Sequence, residues 1–156
     1  MLSIDIPGNF SLRLDYLILD YNGTLAFHGK MVPQSRERLI ELSSLLTIHV
    51  VTADTFGVAG SELDGLPVEL FRLGPKDQAQ AKLEHLKSLG PQRTAAIGNG
   101  LNDHLMLEAS KLGIAIVGPE GASTKTIASA DVLCPSIISA LELLIFPQRL
   151  IATLRS

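Results

Sequence analysis

Short apolar runs alternate along this chain with longer segments of helical periodicity, and that alternation constrains the fold more than anything else in it. The runs are Leu14-Asp15-Tyr16-Leu17-Ile18-Leu19, Thr47-Ile48-His49-Val50-Val51, Val68-Glu69-Leu70-Phe71, Thr94-Ala95-Ala96-Ile97, Gly113 to Val117 and Val132 to Cys134. Runs this short suit strands; those apolar almost throughout suit strands covered on both faces. Between them, Leu39, Ile40, Leu42 and Leu45 predict a helix opened by Pro33. A helix is predicted from about Phe56 to Leu63, and Ala79, Leu83, Leu86 and Leu89 place another after Pro75. Further helices are predicted over about 103–111, Ser123 to Ala130 and the terminal segment. Repeated strand–helix order implies a doubly wound, largely parallel α/β sheet with helices on both faces.

The N-terminus departs from this pattern. Leu2-Ser3-Ile4-Asp5-Ile6 and Phe10-Ser11-Leu12-Arg13-Leu14 alternate apolar and polar around Pro7-Gly8-Asn9, which predicts a β-hairpin. With 156 residues and 46% hydrophobic side chains, the chain can fill one aliphatic core. The expected organisation is one domain: a hairpin over 1–14, a core over 15–134 and C-terminal helices over 135–156. A net charge of −3, with dispersed Lys and Arg, argues against a nucleic-acid partner. The single cysteine, Cys134, excludes an internal disulfide and fits a reducing compartment. No apolar run reaches ~18 residues, so no membrane partner is expected and the cytoplasm is the expected location.

Three predicted strand ends carry polar residues: Asp20-Tyr21-Asn22-Gly23-Thr24-Leu25, Thr52-Ala53-Asp54, and Gly98-Asn99-Gly100-Leu101-Asn102-Asp103. Each alone is a common turn or cap sequence. Parallel connectivity brings all three to one edge of the sheet, where ligands of open α/β sheets bind. Asp20 at such a strand mouth can act as a nucleophile, a metal ligand or both. Gly23 permits a tight turn, and Thr24 offers a hydroxyl.

These motifs in this order resemble the haloacid dehalogenase (HAD) superfamily of phosphotransferases, over about Leu14 to Leu133. Thr52-Ala53-Asp54 and the 98–103 motif are similar to the phosphorylation domain of P-type ATPases, which suggests a soluble member of that kind. The resemblance implies that Asp20 forms an aspartyl-phosphate and that Thr52, backbone N–H groups around Gly23 and Ala53, and Asn102 hold the phosphate. It implies Mg²⁺ on Asp20, the Asn22 carbonyl and Asn99, with Asp103 binding the metal or orienting its ligands. The motif that supplies a cation is met by Lys82 or Lys76; Gln78 stands where P-type ATPases have their lysine. Hydrolytic members have an Asp at position 22 that shuttles protons, and Asn cannot do so. The implied activity is a Mg²⁺-dependent phosphatase or phosphotransferase with slow turnover. The alternative is a catalytically poor module that binds phosphorylated ligands or a partner in regulation.

Only 32 residues separate Asp20 from Thr52 and 30 separate Thr52 from Lys82. Neither interval has room for a cap domain. An open site implies a phosphorylated macromolecule, or a small phosphorylated substrate covered by a second subunit of a homo-oligomer. The loops Gly65-Leu66-Pro67 and Pro119-Glu120-Gly121 read as ordinary turns.

Overall fold

The computed structural model describes residues 1–54 and 57–156. Its centre is a six-stranded, wholly parallel sheet built from β3 (Tyr16–Asp20), β6 (Thr47–Thr52), β7 (Glu69–Arg72), β8 (Thr94–Gly98), β9 (Leu112–Ile116) and β10 (Val132–Cys134). The spatial order is β10-β9-β8-β3-β6-β7. From β3 the chain winds outward through β6 to β7, then returns to the other side of β3 and winds through β8 and β9 to β10. The reversal lies between β3 and β8, so the crevice beyond their carboxyl ends is where a ligand site is expected.

Side-chain alternation divides the core. Leu17 and Leu19 of β3 join Ile48, Val50, Ala95, Ile97 and Ile114 on one face. Ile18 joins Val51, Ala96 and Ala115 on the other. The first face is covered by α1 (Ser35–Leu42) and α6 (Ile137–Ile145), the second by α3 (Gln78–Leu89) and α4 (His104–Ala109). Because strand side chains repeat every two residues, Asp20 belongs to the same face as Ile18 and so faces α3.

The predicted N-terminal hairpin forms as β1 (Leu2–Asp5) and β2 (Ser11–Leu14), a separate antiparallel pair whose Leu2, Ile4, Leu12 and Leu14 join the first core face. The segment after the Asp20 motif is a second small hairpin, β4 (Ala26–Phe27) and β5 (Lys30–Met31), turning at His28 and Gly29 with φ of 53° and 79°.

Several helices differ from their predicted extents. The helix after Pro33 begins at Ser35, and its buried stripe is Ser35, Leu39 and Leu42, continued by Leu46. Ile40 and Leu45 are exposed, because one residue off a stripe is a 100° rotation away from it. The helix after Pro75 begins at Gln78 and presents Lys82 and Leu86 inward. The predicted helix start at Phe56 lies outside the described residues; α2 runs from Val58 to Leu63. A 3₁₀ turn, Leu101–Asp103, precedes α4, and α5 is the short Thr124–Ala128. The apolar terminal segment docks as α6, burying Ile137, Ala140, Leu141, Leu143 and Leu144, before α7 (Pro147–Leu154). Arg38 of α1 and Arg149 of α7 both pair with Glu142 of α6, at 2.9 and 2.7 Å. Among the described residues no single helix is long and apolar enough to cross a membrane.

Away from the sheet's carboxyl edge, His49 of β6 is buried against α3, its Nδ1 3.0 Å from His85 Nε2. Its ring stacks on Phe71 at 5.0 Å. Such a contact needs one ring as donor and the other as acceptor, so the two rings cannot both be protonated. Burial lowers the pKa of each, with His49 lowering that of His85 further and Glu69 opposing the shift on both. Because protonation is disfavoured in the fold, this contribution to stability is complete above pH ~6.5 and is lost as pH falls through the folded-state values. Wild-type protein should therefore lose more of its denaturation midpoint between pH 7 and pH 5 than His49→Phe. Parallel loss in the two proteins would exclude the histidine pair as the cause.

Candidate active site

The end of β3 is shaped by a loop that curls around one carbonyl. The N–H groups of Thr24, Leu25 and Ala26 all donate to Tyr21 O, at 3.3, 3.0 and 2.9 Å. The Tyr21 ring is buried and its hydroxyl donates to Gly29 O at 2.9 Å, which ties the loop to the small hairpin. This anchoring holds Asp20, Asn22 and Thr24 about the crevice between β3 and β8.

Asp20 is buried, and its two oxygens have different partners. Oδ1 accepts from Lys82 Nζ at 2.7 Å and Oδ2 from Thr24 Oγ1 at 3.1 Å. The Thr24 hydroxyl also lies 3.1 Å from Asn99 Oδ1, so one hydroxyl links the ends of β3 and β8. Lys82 is only 1% exposed. It reaches the site because Gln78, Lys82 and Leu86 form one i, i+4, i+8 stripe of α3, polar near the strand ends and apolar below. Its ammonium also donates to Asp103 Oδ1 at 2.7 Å and Asn102 Oδ1 at 3.3 Å. Of the two lysines expected from the sequence, Lys82 stands at the site; Lys76 is exposed and does not line the cleft.

Asp103 organises the neighbouring turn. Its Oδ2 accepts the N–H groups of Asn99 and Gly100, both at 3.0 Å, while Oδ1 is held by Lys82. Both oxygens are thus engaged within the protein. Gly98 is required for this packing, since a Cβ there would lie 2.4 Å from Asp103 Cγ. Asn102 Nδ2 donates to Gln78 Oε1 at 2.8 Å, fixing the orientation of both amides.

Thr52 closes the other side. Its buried hydroxyl accepts from Asp54 N at 3.0 Å and is 3.4 Å from Asn22 Nδ2. The Gly23 N–H, expected to face a phosphate, instead donates to Ala26 O at 2.8 Å. The N–H groups of Asn22 and Ala53 find no protein acceptor among the described residues. They, with the Thr52 hydroxyl, are donors available to a ligand.

The cleft is about 640 Å³ and open, lined by Asp20, Asn22, Lys82 and Asn99 at its base and by Leu101 and Glu120 among its other residues. Glu120, in a segment that reads as an ordinary turn, was missed by motif reasoning. The signal for it was topological: it follows β9, whose carboxyl end shares the edge occupied by Asp20. Asp20, Asn22 and Asn99, which line the cleft, carry oxygen atoms of the hard kind that a small divalent cation takes. Among the described residues no three His, Cys, Asp or Glu side chains form a ready cage. A cation bound there would complete its coordination with water, as Mg²⁺ readily does.

A haloacid dehalogenase-like hydrolase family model matches residues 74–137, the stretch that holds Lys82, Asn99, Asn102 and Asp103. Over that segment the chain is similar to the haloacid dehalogenase-like hydrolases. An uncharacterised protein of Methanocaldococcus jannaschii is 44% identical over 92 residues, covering 58% of this chain and 99% of that one. A phosphoserine phosphatase of Idiomarina loihiensis is 38% identical over 80 residues, 47% of this chain. The match spans only 34% of that enzyme. The fold is also that of 3-deoxy-D-manno-octulosonate 8-phosphate phosphatase from Moraxella catarrhalis, solved with magnesium, phosphate and a KDO molecule. There the TM-score is 0.71 at 19% identity, covering 91% of this chain and 94% of the other. The haloacid dehalogenase resemblance and the parallel α/β architecture expected from the motifs are both borne out.

Among the described residues, Lys82 alone faces the two buried carboxylates of Asp20 and Asp103. Burial, followed by the charge on Asp103, pushes the Asp20 pKa up to about 7, despite the Lys82 ammonium and the Thr24 hydroxyl. Burial acts to lower the Lys82 pKa, but Asp20 and Asp103 outweigh it and hold the ammonium charged. Below pH ~4 Asp20 is protonated whether folded or not; above about 7 the fold must carry its buried charge. Its contribution therefore turns unfavourable as pH rises between these values. In EDTA at pH 8, Asp20→Asn should be more stable than wild type by about 1–4 kcal/mol, and the gap should close towards pH 4. Chemical denaturation at the two pH values measures this; a gap that does not change with pH would show that Asp20 is not the titrating group.

Proposed function

We propose that this protein is a Mg²⁺-dependent phosphatase or phosphotransferase that works through an aspartyl-phosphate on Asp20 and turns over slowly. The observation that carries this reading is Asp20 at the mouth of the central strand, held by the buried Lys82 at 2.7 Å across the crevice between β3 and β8. The 38% identity to a phosphoserine phosphatase supports phosphate-ester chemistry for the matched segment.

Phosphoryl transfer asks a protein mainly for positioning and charge compensation. The Asp20 carboxylate attacks phosphorus, an Asp20 O–P bond forms, and the ester P–O bond breaks with its electron pair leaving on the alcohol oxygen. Lys82 offsets negative charge beside the attacking carboxylate. The Thr52 hydroxyl and the free N–H groups of Asn22 and Ala53 hold phosphoryl oxygens. Asn102, bound to Lys82 and Gln78, presents an amide of fixed orientation to the same group. A magnesium ion, held by Asp20, the Asn22 carbonyl and Asn99, supplies further neutralisation of the phosphate when bound. Asp103, with both oxygens engaged, orients Lys82 and the 99–103 turn.

The departing alcohol needs a proton, and the water that later splits the aspartyl-phosphate must lose one. Asn22 serves neither need, so both protons pass to and from bulk water through the open cleft. Positioned acid–base catalysis is worth ~10²–10⁴-fold, and turnover should be lower by about that factor. The substrate is a phosphorylated small molecule or macromolecule, the openness of the cleft leaving room for either. The same Asn22 favours a second reading, a regulatory module that binds phosphorylated ligands without significant turnover.

Two kinetic outcomes are expected. With p-nitrophenyl phosphate and Mg²⁺, Asp20→Asn should abolish a slow wild-type hydrolysis; equal rates in the two proteins would refute the enzyme reading. Asn22→Asp should raise the rate of phosphoenzyme breakdown, by up to ~10²–10⁴-fold. Retention of the wild-type rate would mean that proton transfer does not limit turnover.

A further inference from the structure

The charge inventory of the cleft points to a residue outside the motifs. Asp103 is fully engaged by Lys82 and two backbone N–H groups. A divalent cation drawn to Asp20 would thus find one carboxylate, itself shared with Lys82, and otherwise the neutral oxygens of Asn22 and Asn99. Mg²⁺ sites usually provide one or two carboxylates beside water and substrate phosphate. Among the described residues lining the cleft, Asp20 and Glu120 are the two acids.

Glu120 is held towards that position. It occupies a tight turn closed by Gly121 N donating to Gly118 O at 2.9 Å. The turn is tied to Asn99 twice: Asn99 Nδ2 donates to Gly121 O at 3.1 Å, and Ser123 N donates to Asn99 O at 2.9 Å. A Cβ built on Gly23 would lie 2.3 Å from Glu120 Oε2 and 3.1 Å from Asn99 Oδ1. The absence of a side chain at Gly23, where φ is +81°, therefore leaves space filled by the Glu120 carboxylate beside the Asn99 amide. Glu120 forms no hydrogen bond or ion pair with any described residue. An unpaired carboxylate at the lip of a phosphate site would repel its ligand unless a cation stood between them.

We propose that Glu120 is the second carboxylate of the divalent-cation site, supplying the negative charge that neither Asn22 nor Asn99 carries. The inference rests on the Mg²⁺-dependent reading above and extends the site to the turn after β9. Its test is binding of Mg²⁺ alone, by calorimetry at constant ionic strength, to wild type, Glu120→Gln, Asp20→Asn and a distant control, Glu84→Gln. Glu120 is exposed, so its substitution leaves the fold intact, which the metal-free denaturation midpoint verifies. Glu120→Gln should weaken Mg²⁺ binding by about 10-fold, with Glu84→Gln unchanged. Wild-type affinity in Glu120→Gln, with binding lost in Asp20→Asn, overturns this inference and leaves the site reading standing. Absence of saturable Mg²⁺ binding to the wild type overturns both.

Discussion

The buried ammonium of Lys82, 2.7 Å from both Asp20 and Asp103, is the contact on which the site depends. It joins three elements distant in sequence: the end of β3, the middle of α3 and the 3₁₀ turn after β8. A buried ion cluster is a poor source of stability, because desolvating its charges offsets most of their attraction. An apolar residue on the Gln78–Lys82–Leu86 stripe would pack against this sheet without that cost. The polar upper end of the stripe is therefore better explained by function than by folding. It also accounts for the glycine at 98, where any side chain would displace Asp103 from the ammonium.

Sheet topology converts these local contacts into one site. Alternation along β3 sends Ile18 and Asp20 to the α3 face. The chain reversal between β3 and β8 then sets Asp20 beside Asn99, linked through Thr24. Neither strand end closes the crevice, and the small hairpin Ala26–Met31 is the element that separates the Asp20 loop from α1. The Tyr21 carbonyl, accepting three N–H groups, makes that loop compact, and among the described residues the N–H groups of Asn22 and Ala53 have no acceptor.

Much of this arrangement was legible in the residues. Apolar runs of strand length and their helical spacers specified a parallel sheet, and parallel strands carry their C-terminal residues to a common edge. Lys82 could be picked out because it lies one turn after Gln78 on the inner face of a helix. Other features were hidden for physical reasons. Ile40 and Leu45 look like core residues by composition, yet the eight-residue α1 buries only the narrow stripe of Ser35, Leu39 and Leu42. The engagement of both Asp103 oxygens depends on a backbone turn that spacing does not reveal. Glu120 sits in a Pro-Glu-Gly turn with no motif around it, and only the three-dimensional neighbourhood of Gly23 shows where its carboxylate goes.

The two asparagines separate functions that a carboxylate would combine. An amide oxygen at 99 still accepts from Thr24, and an amide at 22 still reaches towards Thr52, so hydrogen-bonding geometry is kept. What an amide lacks is negative charge and a group that titrates at ordinary pH. On the proposed mechanism, formation of an aspartyl-phosphate would draw on Asp20, Lys82, Thr52 and nearby backbone N–H groups. Its hydrolysis draws in addition on a base beside the phosphorus, and position 22 has none. On the proposed mechanism the chemistry of the site would thus be asymmetric, favouring gain of a phosphoryl group over its loss to water. Such an imbalance would lengthen the life of a phosphorylated Asp20, and with it the time in which an acceptor other than water could enter an open cleft.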